Sequence, residues 1–354
     1  MRVREAKEAA RRWVWEVGCR LPGFQGAYFG GSINWREDGS DLPATSDVDI
    51  YVVIEGDEAA LEPRRQRDLK HRKLRYGGVL LETNFYPSSR FATAEQVLAD
   101  YPVACHLARP SLIADPSGHL ARLQRIVARD FARSEWVTKR CENVRDSMLR
   151  SVMEPLGTAT GTFQAAHCIC VVPVWLSHIL LVADLQNPTV IKGPSVSKRI
   201  LASGGRLDLH ERMLALLGAV GMDRSAVEGY LDELTRCFDR AVQVRSRPCS
   251  SDWNLCEEAR EDAIGGPGRL VESGDHREAM WWILRLRLLC QEVIRNDAPE
   301  EEKEPFERGL ERLLAGLSLS AETVAKVKAA EARALLDDVM QFAREMIARD
   351  PRMI

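Results

Sequence analysis

The sequence has no surplus of positive charge: 49 lysines and arginines stand against 52 aspartates and glutamates, a formal net charge of −3. A long nucleic acid is gripped mainly through its phosphates, so this balance disfavours a polynucleotide and favours a small molecule or a protein as partner. Paired-cysteine spacing is also missing. The nine cysteines are scattered with no C-x-x-C, and Cys168 and Cys170 would point to different sides of a helix. A zinc or redox centre is therefore not expected, and reduced thiols in a cytoplasm are. No uninterrupted apolar leader opens the chain, because Arg2, Arg4, Glu5, Lys7 and Glu8 break it, so a secretion signal is not expected either. Internal repeats and low-complexity tracts are absent. With 45% hydrophobic and 29% charged residues the chain has the composition of a folded protein.

At 354 residues it exceeds one comfortable core, and two domains are expected, 1–117 and 118–354, with an extra subdomain from about residue 250. The run from 168 to 185 is apolar and nearly long enough to span a membrane. It contains Pro173, Ser177, His178 and Asp184. The expectation is a central helix of a helical domain, apolar on all sides, and no membrane partner.

Along the chain, residues 3–20 read as an amphipathic helix ended by Pro22 and Gly23, followed by a short strand at 27–29. Gly30, Gly31 and Ser32 break that strand, and a polar loop through Gly39, Ser40 and Pro43 leads to Asp47. The run Asp-Val-Asp-Ile-Tyr-Val-Val-Ile, 47–54, is β-branched and apolar and predicts a strand. Residues 58–75 predict a charged helix, in which Arg64, Arg65, Arg67, Lys70, His71, Arg72, Lys73 and Arg75 form a solvated face. Gly77 and Gly78 separate it from a strand at 79–86, closed by Pro87, and a last strand is expected at 111–114. This gives an α+β chain: a small α/β domain with a mixed sheet, then an all-α helical bundle. Helices are predicted at 119–154, 160–185, 195–203, 208–218, 224–245, 274–296, 303–315 and 320–348, with loops at 265–268 and 299–305.

Two carboxylates one residue apart on a strand project from the same face, so Asp47 and Asp49 should stand side by side. Such a pair suits Mg²⁺, which takes a few carboxylates together with substrate phosphates and water. An edge or capped strand also produces D-x-D. The Gly-Gly-Ser turn could cradle a polyphosphate on backbone N–H groups, or its glycines could merely supply positive φ angles. Glu82 is an isolated acid in an apolar strand. It either faces solvent or lies near a cation, where it could bind the metal or take a proton from an attacking hydroxyl.

The ordered set F-G-G-S, loop, S-D-V-D-I-Y-V-V-I, then L-L-E-T-N-F resembles the nucleotidyltransferase superfamily related to DNA polymerase β, over about the first 115 residues. Within it the chain is most similar to aminoglycoside adenylyltransferases, where such a domain precedes a helical one. The resemblance implies two Mg²⁺ ions on Asp47 and Asp49, with Glu82 as third carboxylate or base. It also implies a nucleoside triphosphate, ATP first, on Gly31, Ser32 and Ser46, and a small-molecule hydroxyl acceptor. A lysine from the helical domain reaches the phosphates in those enzymes, and Lys198, then Lys192, matches that place.

The chain is longer than those enzymes from about Trp253 onward. Glu257, Glu258, Glu261, Asp262, Asp275, Trp281 and Trp282 in that region could wall a site for a polycation, or be ordinary helix surface and core. Trp175 and Asp184 carry the same two readings. Three rivals stand beside the small-molecule enzyme: a nucleotidyltransferase that modifies a protein, as in toxin and antitoxin systems, a catalytically inactive nucleotide-sensing module, and a nucleic-acid tailing enzyme, which the neutral charge disfavours.

Overall fold

The structure is a computed structural model that describes residues 1–43, 46–61, 73–246, 255–321 and 324–353. Its contacts gather the chain into two compact units. The first comprises Met1–Asn143, Leu185–Thr189 and Ile347–Ile354; the second comprises Val144–Asp184 and Val190–Met346.

The first unit opens with α1 (Val3–Glu16), which buries Ala6, Ala9, Ala10, Trp13 and Val14 along one stripe, the spacing of a helix laid on a core. Five strands follow: β1 (Phe24–Phe29), β2 (Val48–Ile54), β3 (Lys73–Tyr76), β4 (Val79–Pro87) and β5 (Leu112–Ala114). They form one mixed sheet in the order β3-β4-β2-β1-β5, with β2 and β4 parallel and the other neighbours antiparallel. Both faces are covered, which is why the two central strands read as nearly continuous apolar runs. Ala27, Phe29, Ile50, Val52 and Leu81 pack with α1 on one face. Tyr28 and Val53 point the other way, into a second cluster with Phe91, α2 (Ala94–Ala99), α3 (Tyr101–Leu107) and α4 (His119–Asp130). The compact unit continues through α4 and most of α5 (Ser134–Met148), so it runs past the switch from strand to helix that follows β5.

The second unit is helical: α6 (Thr162–Ile169), α7 (Val172–Ala183), α8 (Gly193–Ser203), α9 (Leu207–Leu217), α10 (Arg224–Val244), α11 (Arg260–Glu272), α12 (His276–Asp297), α13 (Glu300–Gly316) and most of α14 (Val324–Arg349). Its axis is α12, buried on nearly every side. Thr162–Ala183 is long and apolar enough to cross a membrane by length and composition, and 83% of its apolar window is buried, as a core helix is.

Several expectations change. The helix predicted over 58–75 is helical at 58–61 and a strand at 73–76, while 62–72 lie outside the described residues. The Gly77-Gly78 pair, with φ of 57° and 81°, makes a two-residue hairpin between β3 and β4. Lys73 is accordingly buried on the sheet and not on a solvated helix face. The predicted loop at 265–268 lies inside α11: Gly266 and Pro267 are buried, and a Cβ at 266 would sit 3.0 Å from Ile191 Cδ1, so tertiary packing overrides the local breakers. The predicted loop at 299–305 is the first turns of α13, where Glu300, Glu301 and Glu302 complement the positive end of the helix dipole. The helix predicted over 119–154 breaks between α4 and α5, and that over 160–185 breaks before Val172. Among the described residues, α2, α3 and α11 lie where no helix was predicted.

Ile50 follows Asp49 on β2, faces the opposite side of the sheet and is completely buried. Ile50→Ala should cost roughly 2–5 kcal/mol of stability, read as a lower urea midpoint by circular dichroism. An unchanged midpoint would contradict its place in the core.

Candidate functional site

β1 ends and β2 begins at the same end of the sheet, because the two strands are antiparallel and Phe29 pairs with Ile50. The Gly30 N–H donates to the Asp49 carbonyl at 3.1 Å, which locks the glycine turn against the first residues of β2. Gly31 has φ 56° and ψ −155°. A Cβ built there would lie 1.7 Å from Asp49 Oδ2, so only glycine fits between the backbone and that carboxylate. Ser32 follows at the start of a 3₁₀ turn, Ser32–Trp35, half-buried.

Asp47 is the residue just before β2, and Ser46, whose N–H donates to the Pro43 carbonyl at 2.9 Å, precedes it. The parallel pairing of β2 with β4 puts Asp49 opposite Glu82, and the β3–β4 hairpin puts Glu82 opposite Lys73. Register-paired residues share a face, so Lys73, Glu82 and Asp49 stand in one row across three strands, and the row ends at the Gly31 turn. Lys73 Nζ donates to Asp47 Oδ2 at 2.8 Å and lies 3.3 Å from Glu82 Oε2. Its side chain is 2% exposed and that of Glu82 19%. Burial, then the neighbouring Asp47 charge, push Glu82 up to about 7 against the pull of Lys73.

Beneath this row, two residues further along β2, an aromatic cluster begins at Tyr51. Tyr51 stacks on Tyr28 with ring centroids 5.3 Å apart, and lies 5.0 Å from Tyr86 and 4.5 Å from His106. Burial, with the Arg90 charge, lowers His106 to about 3, so this imidazole is neutral. The acids therefore sit at the rim of an apolar floor, where charge is poorly screened.

The structure sets Gly31 against Asp49, Asp49 in register with Glu82, and Asp47 and Glu82 on the same Lys73 ammonium; Ser32 and Ser46 neighbour Gly31 and Asp47 in sequence, all within the first unit. Among the described residues no three histidine, cysteine, aspartate or glutamate side chains form a ready-made metal cage. The donor set, carboxylates beside a glycine cradle, is of the kind that Mg²⁺ completes with phosphate oxygens and water.

Lys198 and Lys192 belong to the second unit. Lys198 is engaged there by Glu278 at 2.9 Å and Asp275 at 3.4 Å, and buried His210 lies 2.8 Å from the same Glu278 oxygen. Burial alone would raise Glu278, but hydrogen bonds from His210 and Lys198 outweigh it and hold the carboxyl at about 2. Lys192 is an exposed residue just before α8. Trp281 and Trp282 are core: their rings meet edge to face, and their indole N–H groups donate to Ile191 and Ala263 carbonyls at 3.3 and 2.8 Å. Asp184 and Trp175 are half-buried at α7.

Lys73 is the site residue that sequence reasoning missed. The glycine pair was the signal that could have found it, because a two-residue turn at 77–78 fixes Lys73 opposite Glu82. No family model, curated protein or solved structure matches the chain.

Gly31→Ala should cost roughly 1–3 kcal/mol, since the added methyl meets both a left-handed backbone and the Asp49 carboxylate. A melting temperature equal to that of the wild type would contradict the contact. Glu82 gives a pH signature. The folded chain keeps a proton on Glu82 up to about 7, whereas the unfolded chain releases it near 4.5, so this group withdraws stability as pH rises between those values and adds no slope above. Urea unfolding of Glu82→Gln should lack that decline, and parallel pH profiles for variant and wild type would refute it.

Proposed function

We propose that the chain is a Mg²⁺-dependent nucleotidyltransferase that moves a nucleoside monophosphate, AMP from ATP first, to a hydroxyl of a small polyhydroxylated, aminoglycoside-like molecule. The observation that carries this reading is the row of Lys73, Glu82 and Asp49 ending on the Gly31 turn, with Asp47 drawn in by Lys73. Carboxylates for a divalent ion and backbone amides for phosphate oxygens then lie at one end of the sheet. The resemblance of the F-G-G-S and D-V-D segments to nucleotidyltransferases supports the same reading.

In it, Asp47 and Asp49 would hold the metal, and Gly31, Ser32 and Ser46 would receive the triphosphate through N–H and hydroxyl donors. Mg²⁺, when bound there, would polarise the α-phosphate and offset the charge gathering on pyrophosphate. Glu82, raised to about 7, suits the removal of the acceptor's hydroxyl proton, the oxygen attacking the α-phosphorus as its bond to pyrophosphate breaks. Lys73 keeps Asp47 and Glu82 from repelling each other apart.

The test is incubation with Mg²⁺, each of the four nucleoside triphosphates and a panel of aminoglycosides and other polyols, followed by pyrophosphate release. Asp47→Asn and Asp49→Asn should each lower turnover at least ~100-fold with an unchanged circular dichroism spectrum. Near-normal turnover in either variant overturns the assignment.

A further inference from the structure

A lysine buried among the very carboxylates assigned to metal is out of place in a site that gathers two divalent ions. Resting on the nucleotidyltransferase reading, we propose that Lys73 is a resident cation that fills one of the two cation positions, so that the chain takes a single divalent ion with its nucleotide. The ammonium is a compact point charge with three donors, and here it spans Asp47 and Glu82 at 2.8 and 3.3 Å.

It is not a loose side chain that has fallen into the site. Lys73 is the first residue of β3, its Cα is in register with that of Glu82, and the Gly77-Gly78 hairpin sets that register. Withdrawing it would strand two carboxylates on a largely buried surface, the costly way to break such a cluster. A divalent ion placed between Asp47 and Glu82 would meet a like charge already there.

Asp49 stands at the other end of the row, against the glycine turn. An ion there needs only one or two protein carboxylates, since phosphates and water supply the rest of its shell.

The experiment counts Mn²⁺ bound to the full chain by equilibrium dialysis with α,β-methylene-ATP, using electron paramagnetic resonance to quantify the ion. Wild type and Lys73→Arg should each bind one Mn²⁺ per chain, and Lys73→Met should bind two. Two ions on the wild type overturn the proposal, and so does a single ion on a Lys73→Met chain with a native circular dichroism spectrum. Should Lys73→Met fail to fold, the wild-type and Lys73→Arg counts decide: one ion on each supports the proposal and two on either overturns it. Binding of two ions by wild type alongside pyrophosphate release would defeat the resident cation and leave the nucleotidyltransferase reading intact. No bound ion in any chain removes both.

Discussion

The parallel register of β2 against β4 is the constraint on which the acid cluster of this chain depends. It sets Asp49 beside Glu82 and leaves Asp47 one step beyond the strand, within reach of the same ammonium. Neighbouring like charges at the edge of an apolar sheet repel strongly and are poorly screened, so the arrangement needs a positive partner fixed in place. The hairpin supplies it. Helix α1 and the α2–α4 layer cover the two faces and hold the central strands, so the acid row rests on a rigid scaffold instead of on mobile loops.

The second unit solves a related problem differently. A nearly inaccessible Glu278 is satisfied by His210 and Lys198, with Asp275 at the margin, and the cluster ties α8, α9 and α12 together. Lys198, which the resemblance nominates for phosphate binding, already serves this ion network in its own unit. Any call on it by a ligand must compete with a carboxylate held at about 2.

How much of this was legible depended on the scale of the interaction. The strand at 47–54 and the strand at 79–86 were plain because both are apolar over a full strand length, and the one-residue spacing of Asp47 and Asp49 was visible by eye. The neighbourly relation of the two strands was not, since parallel pairing joins residues far apart in sequence. The charged run before Gly77 concealed β3: arginines and lysines at helical length outweigh four residues of strand in any local reading, and the register that buries Lys73 exists only once the sheet has formed. Gly266 and Pro267 misled in the opposite direction, as local breakers inside a helix kept by its packing.

The two-glycine hairpin carries a consequence for how the gene can change. Strand side chains alternate, so an insertion of a single codon at 77–78 that slipped β3 by one residue would send Lys73 through to the opposite side of the sheet and bring Leu74 to the acids. The sheet could survive such an event with most of its apolar contacts, yet its negative cluster would have lost its counter-charge. The length of this turn thus decides which side chain of β3 meets the acids.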